Sequence, residues 1–579
     1  MIDNIKAAED SFRELIFKAR EIVANGVTLP EFGVEIPGDK SHGDFATNAA
    51  LCSSKALKMP PRKIAEEILS KIDFSGTCFS HAEIAGPGFI NVFLADSWFG
   101  DTVKSIIEAD ENYGRTNHGA GKSRLVEFVS ANPTGPMHIG NARGGALGDV
   151  IAESLDWAGY KTEREFYVND AGQQVIKFGA SLGARYLQVC SEAGKKIAAQ
   201  FPDTENFAQK IYDDIENFPM SEGLYLGTDI LIHAKNYYDT FGEILKDETD
   251  EKRNETLADY ALPININGLE RDLKRYGITY DNWFKESTLH NSGAVDEIIK
   301  KLKESGYTYE ADGAIWLRTT EFGDEKDRVL VRANGVPTYV VPDIAYHYDK
   351  LVKRGFDKAV DILGADHHGY IMRIKAALSA LGVDPDRLDI VIMQMVMLVR
   401  NGEAVKLSKR SGKAITLNTL LDEIPIDAAR FFFNLREPNS HFEMDLDLAV
   451  EESSKNPVYY VEYAHARICS IIRNLAQDGL SPDVNADLSL LVTPEEKNLI
   501  SNEALLPQTI IQAAEEYNPS LLTRYATETA SAFHKFYDKC RIKGEEQALA
   551  TARLTLCLSV KITLRNTLKI LGIKAPEKM

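Results

Sequence analysis

The chain has 579 residues, of which 44% are apolar and 26% charged, and a formal net charge of −20. That length is too great for one hydrophobic core, so several domains are expected. So acidic a chain repels bulk polynucleotide and leaves local basic patches as the docking places for any RNA. The sequence has no run of about 18 apolar residues able to span a bilayer, no secretory signal, and no Cys-x-x-Cys pair among Cys52, Cys78, Cys190, Cys469, Cys540 and Cys557. A cytoplasmic protein is therefore expected, with reduced thiols, no membrane partner and no structural zinc.

The chain opens on an amphipathic helix whose Ile5, Ala8, Phe12, Leu15, Ala19 and Ile22 share a face, ended by Asn25-Gly26. Further on, Ala85-Gly-Pro-Gly88 followed by Phe89-Ile-Asn91-Val-Phe93 predicts a turn and a strand. Residues 1–118 thus read as a small α+β domain. From 119 to 425 the pattern changes. Arg124–Val129 is a buried strand that leads through a Pro/Gly loop into a helix carrying Leu147, Ile151, Leu155 and Ala158. Lys358–Leu363, the loop Gly364-Ala-Asp-His-His-Gly369 and a helix through Ile371, Ile374, Leu378 and Leu381 repeat that plan. Two such units predict a Rossmann-type, doubly wound parallel sheet with its site at the carboxyl ends of the strands. A polar, helix-rich stretch at about 170–307 reads as an insertion. From 426 to 579, Val461, Ala464, Ile468, Ile471 and Leu475, then Cys557, Val560, Leu564, Leu568 and Leu571, recur at helical spacing and predict an all-α bundle. The whole is a multidomain α/β chain.

Two segments carry chemistry. In Ser130-Ala-Asn132-Pro-Thr-Gly-Pro-Met-His138-Ile-Gly140-Asn141, the prolines and glycines set a tight path that leaves His138 just ahead of a helix N-terminus, where free N–H groups and the helix dipole favour phosphate. A solvated histidine in an ordinary strand-to-helix turn is the bland alternative. In Lys406-Leu-Ser408-Lys409-Arg410-Ser-Gly412-Lys413, four cations share one glycine-bounded loop, suited to closing over a triphosphate and offsetting the charge on a departing pyrophosphate. Each alone is weak; together they point to adenylate chemistry. In the bundle, Tyr463 and Arg467 lie one turn apart, suited to stacking on a base and pairing with phosphate, while Phe89 and Asn91 share one strand face, where core packing of Phe89 is the rival reading.

The two segments resemble the paired signatures of class I aminoacyl-tRNA synthetases, with Asn141 where the second histidine of the first signature stands and Leu407 for a methionine in the second. Val126-Glu-Phe-Val-Ser-Ala-Asn-Pro-Thr-Gly-Pro-Met-His138, Ala85-Gly-Pro-Gly-Phe-Ile-Asn91, Gly364-Ala-Asp-His-His-Gly369, Tyr463-Ala-His-Ala-Arg467 and the ending Leu571–Met579 resemble the arginyl-tRNA synthetase family almost end to end. The resemblance implies an N-terminal domain that reads the tRNA D-loop through Phe89 and Asn91. It also implies an anticodon-binding bundle using Tyr463, Arg467 and Met579, unless that terminus is frayed. The middle domain would use ATP with Mg2+: His138, Asn141, Lys406 and Lys409 as catalytic residues, with Gly140, Gly364, Asp366, His368 and Ser408 completing the ATP site.

By the same resemblance, Ser130 and Asn132, with His367, hold the amino group of L-arginine, and Glu286, Tyr339 and Asp343 surround its guanidinium. A planar cation with five fixed donors suits two carboxylates and a phenol. The implied partners are tRNA(Arg), L-arginine and ATP, with tRNA bound before activation, and a monomer is expected. A class I synthetase for another amino acid, a small-molecule nucleotidylyltransferase and a non-catalytic tRNA-binding relative are the rivals, the last kept open by Asn141.

Overall fold

The computed structural model describes residues 3–367, 369–405 and 415–579. Its first helix spans Asn4–Ala24, begun by Asp3 accepting the Lys6 amide and ended by Asn25 in the left-handed conformation. Ile5, Ala8, Phe12, Ile16 and Ala19 form the buried stripe. Ile22, expected on it, is 61% exposed, because about 100° of rotation per residue carries it past that stripe. Phe12 meets Phe79, ring centres 5.7 Å apart, over an antiparallel sheet of β1 (Val34–Glu35), β2 (Phe45–Thr47), β3 (Phe79–Ala85) and β4 (Phe89–Leu94) in the order β1-β2-β4-β3.

The central sheet is parallel and five-stranded. It contains β5 (Ser123–Glu127), β6 (Lys161–Val168) and β7 (Asn282–Lys285). After an antiparallel trio, β8 (Thr308–Ala311), β9 (Ala314–Leu317) and β10 (Arg328–Val331), it is completed by β11 (Lys358–Gly364) and β12 (Leu388–Met393). The order β12-β11-β5-β6-β7 grows outward in both directions from the β5/β11 pair, which opens a crevice at their carboxyl ends. The Ile139–Trp157 helix leaves β5 and packs so closely that a Cβ on Gly148 would lie 2.1 Å from Phe128 Cγ.

Between β6 and β7, helices from Gly172 to Arg275 enclose a core of their own around Phe178, Tyr186, Phe207 and Leu231. The chain then rejoins the sheet as β7, inside the stretch expected to be insertion. Four residues bounded by Asn282 and Lys285 carry too short an apolar run to signal a strand.

The C-terminal region is helical, with its core along Pro457–Gln477, Ser520–Lys539 and Gln547–Ile570. One exception is a strand at Phe442–Asp445, which pairs in parallel with Val396–Arg400. The bundle also grips the N-terminal domain. Asn566 Nδ2 donates to the carbonyls of Asp110 and Tyr113 at 2.8 and 2.9 Å, and the Tyr113 hydroxyl donates to the Glu503 carbonyl at 2.8 Å. Among the described residues no helix is long and apolar enough to cross a membrane.

Candidate active site

The loop leaving β5 crosses the mouth of the crevice. Ser130 donates its hydroxyl hydrogen to Glu127 Oε1 at 2.8 Å and accepts the Tyr167 N–H at 3.1 Å, so the loop is stitched to the ends of both β5 and β6. One lone pair of that hydroxyl remains for an incoming donor. Asn132 is exposed on the same loop, and His138 is exposed at the N-cap of the Ile139–Trp157 helix. The His138 N–H donates to Asn141 Oδ1 at 3.1 Å. Asn141 therefore closes the first turn of the helix, a task that an amide oxygen performs directly. Gly140 lies against Met395, whose Cε would be 3.3 Å from an added Cβ.

Lys406, Ser408 and Lys409 lie outside the described residues, as does His368. The described flanks of the lysine segment are anchored on both sides. Val405 donates to the Leu398 carbonyl at 2.8 Å, and beyond the segment Leu417 N–H reaches Met137 O at 2.9 Å while Ile139 N–H reaches Ile415 O at 3.2 Å. The backbone on one side of the lysine segment is thus paired with the backbone on either side of His138. Across the crevice, Gly364 ends β11 opposite Met393, and Asp366 and His367 follow it, exposed and 3.6 Å apart.

Beside this loop lies a group of carboxylates. Glu286, 8% exposed, follows β7 and receives the Asn169 amide, turned to face it, at 2.7 Å. Asp343 lies in the first turn of the Val340–Tyr348 helix, where Pro342 is tolerated because its missing N–H is not needed. Tyr339, 60% exposed, stands at the start of the same helix. Burial pushes the Asp343 carboxyl up to about 7 against the pull of His347, and Glu286 and Glu127 add to the rise. Glu286 is also raised, chiefly by burial, with His290 opposing at 3.6 Å. Tyr167 between them is raised by burial and by the surrounding Glu286, Asp343, Glu127 and Asp170. Among the described residues no lysine or arginine forms an ion pair with Glu286 or Asp343, and His290 lies beside Glu286.

The outlying residues sit on two other surfaces. Phe89 is half-buried, and Asn91, at 5% exposure, faces Ala46 and Glu83 on the flanking strands, offering little surface of its own. On the bundle, the Tyr463 ring stacks with Tyr459 at 6.3 Å and 7° and lies beside His534 at 6.2 Å, while Arg467 lies 4.8 Å from the Tyr537 ring centre. Met579 is exposed, but the tail before it is held: His465 Nδ1 meets the Pro576 carbonyl at 2.9 Å and Lys561 pairs with Glu577 at 3.0 Å.

Comparison with known proteins places this geometry in a lineage. Residues 102–472 match the family described as tRNA synthetases class I (R), catalytic domain; residues 7–94 match the arginyl tRNA synthetase N terminal domain, and 461–579 the DALR anticodon binding domain. An arginine–tRNA ligase of Caldanaerobacter subterraneus subsp. tengcongensis is 49% identical over 582 residues, 99% of each chain. The chain belongs to the arginyl-tRNA synthetase family. The arginine–tRNA ligase of Acetivibrio thermocellus is likewise 49% identical, over 95% of this chain and 94% of its own. A solved Campylobacter jejuni structure, titled a putative arginyl-tRNA synthetase, is 32% identical with a TM-score of 0.73, covering 84% of this chain and all of its own.

Several residues of this synthetase site had not been singled out from the sequence. Lys350, wholly buried, pairs with Glu127 at 2.5 Å and with Asp361 at 2.8 Å, and His347 Nε2 lies 2.7 Å from the other Asp361 oxygen. Burial alone would raise the Asp361 carboxyl, but Lys350 and His347 hold it well below the ordinary range. A carboxylate inside the apolar run Ala-Val-Asp-Ile-Leu of β11 was the available signal. Arg143, also wholly buried, donates to the carbonyls of Gln394, Glu437 and Ser440 at 2.6, 3.1 and 3.2 Å, tying the His138 helix to the chain beyond β12; burial lowers its pKa to about 10.

Proposed function

We propose that this arginine–tRNA ligase carries out both half-reactions in the crevice between β5 and β11. An arginine carboxylate oxygen attacks the α-phosphorus of ATP, the bond to pyrophosphate breaks, and arginyl-adenylate forms. A ribose hydroxyl of the terminal adenosine of tRNA(Arg) then attacks the adenylate carbonyl, and AMP leaves. The enzyme acts mainly by positioning and by charge stabilisation.

In this reading His138 and the positive end of its helix dipole take the charge that develops on the α-phosphate. Lys406 and Lys409, with Ser408, act on the pyrophosphate. Gly140, Gly364, Asp366 and His368 line the adenosine, and Asn141 serves through the helix cap. Ser130, Asn132 and His367 receive the α-amino group. Glu286, Tyr339 and Asp343 surround the guanidinium, and the lack, among the described residues, of a lysine or arginine paired with either carboxylate is the observation that carries the choice of arginine.

Magnesium, which dehydrates reluctantly, would come with the nucleotide's own phosphates and water; among the described residues no cluster of histidine, cysteine and carboxylate side chains is grouped to cage an ion. No structural zinc enters the proposal. Residues 1–118 would read the D-loop through Phe89 and Asn91, 119–425 carry the chemistry, and 426–579 bind the anticodon arm through Tyr463, Arg467 and Met579. The enzyme would work as a monomer in the cytoplasm. Transfer of label from each amino acid to total tRNA, with ATP and magnesium, tests the reading. Arginine is charged by the wild type and far more slowly by Lys409→Ala; preferential charging of another amino acid would refute it.

A further inference from the structure

Two neighbouring residues in the loop that leaves β5 hold a backbone conformation that L side chains rarely adopt, Val129 at φ 70° and Ser130 at φ 40°. For a β-branched valine this is a true outlier, and such strain persists only where the surroundings over-determine it. Here the surroundings are a buried chain of charges. Lys350, 0% exposed, lies in the π-helical turn Asp349–Lys353 that continues the Val340–Tyr348 helix, and such turns gather at functional sites. Its ammonium group donates to Glu127 Oε2 and to Asp361 Oδ1, and sits 4.1 Å from the centre of the Tyr346 ring. The second Glu127 oxygen accepts the Ser130 hydroxyl, whose own oxygen accepts the Tyr167 N–H.

We propose that Lys350 is a positioning residue for the arginine site: by holding the Glu127 carboxylate it fixes Ser130, and with it the left-handed bend that presents Ser130 and Asn132 to the substrate's α-amino group. The inference rests on the reading that those two residues receive the amino group. Lys350 itself touches no substrate. Without its charge, the buried Glu127 carboxylate would lose its ion pair and its fixed orientation, and would hold the Ser130 hydroxyl less firmly. The strained bend would then relax. The same lysine stands one turn beyond the helix that carries Asp343, so a single buried cation ties the loop at the amino end of the substrate to the helix at its guanidinium end.

The test is aminoacylation by the full-length enzyme with arginine and ATP varied separately. Glu127→Gln/Lys350→Met removes one charge of each sign, so the net charge of the core is unchanged, and leaves Asp361 its hydrogen bond to His347. The arginine KM is expected to rise at least about tenfold while the ATP KM stays within about twofold, the split that marks a fault confined to one substrate's pocket. Glu127→Gln alone keeps the side-chain shape, weakens the same link, and is expected to show the same split. A folded double variant, checked by circular dichroism, whose arginine KM stays within about twofold of wild type overturns the proposal, as does an equal rise in both KM values. Asn132→Ala separates the proposal from the reading beneath it. If Asn132→Ala raises the arginine KM and the double variant does not, the positioning role alone is wrong. An unchanged arginine KM in Asn132→Ala removes the reading and the proposal together.

Discussion

Replacing Asp343 with asparagine keeps the shape of the side chain and removes one of the two carboxylates proposed to meet the guanidinium. Truncating one partner of a buried, hydrogen-bonded charge pair costs about 2–5 kcal/mol, which corresponds to about 30- to 5,000-fold in kcat/KM for arginine. The pH dependence gives a sharper signature. In the free site the Asp343 carboxyl is pushed up to about 7, so below that pH it carries a proton that a guanidinium must displace. The charged, binding-competent form is present above pH 7 and is lost as pH falls through that value. Between pH 8 and pH 6 the wild-type arginine KM is therefore expected to rise about tenfold, one decade per unit on the acid side. Asp343→Asn has no proton to lose, so its KM is high and flat across the window. Initial rates of aminoacylation at saturating ATP and tRNA, taken in half-unit steps of pH, measure both curves. A flat wild-type profile, or a slope that survives in Asp343→Asn, would show that Asp343 does not gate arginine binding.

Two further outcomes follow from packing and from a buried acid. Gly148→Ala sets a methyl group into the Phe128 side chain near its root, where rotation cannot relieve the clash; the helix must lift from the sheet, and a loss of about 1–3 kcal/mol or more is expected as a lower denaturation midpoint with reduced kcat. Glu503 is wholly buried beneath the N-terminal domain, and burial pushes its carboxyl up to about 8, against the partial pull of Ser559 and Thr563. The folded chain keeps a proton there that the unfolded chain releases near its ordinary value, so the stability contributed by the neutral acid is full at pH 4 and lost as pH rises toward 8. Glu503→Gln cannot ionise. Its urea midpoint is expected to match wild type near pH 5 and exceed it at pH 8.5; equal midpoints at both would show the acid to be unperturbed.

The parts of this fold that could be read from the sequence are those whose signal is local. Both strand-loop-helix halves of the central sheet were legible because an apolar run, a glycine-bounded loop and a helical stripe follow one another within a few tens of residues. The stripe on the first helix was legible apart from its end, where Ile16 rather than Ile22 turns inward. What depended on distant partners was not. β7 has four residues and becomes a strand only because β6 pairs with it. Lys350 meets Glu127 across more than two hundred positions, and nothing beside Lys350 in the sequence distinguishes it from a surface lysine. Asn141 reads in the sequence as a lapse in a histidine signature, whereas in the structure its side chain caps the turn that His138 begins.

The role proposed for Glu286 and Asp343 is to select arginine by its charge. Its most direct measurement compares charging of tRNA by arginine and by citrulline, whose neutral urea group has nearly the shape of the guanidinium without its charge. With citrulline the two carboxylates meet no positive charge from the substrate, and a kcat/KM at least about a thousandfold below that for arginine is expected. Citrulline charged within about tenfold of arginine would contradict it.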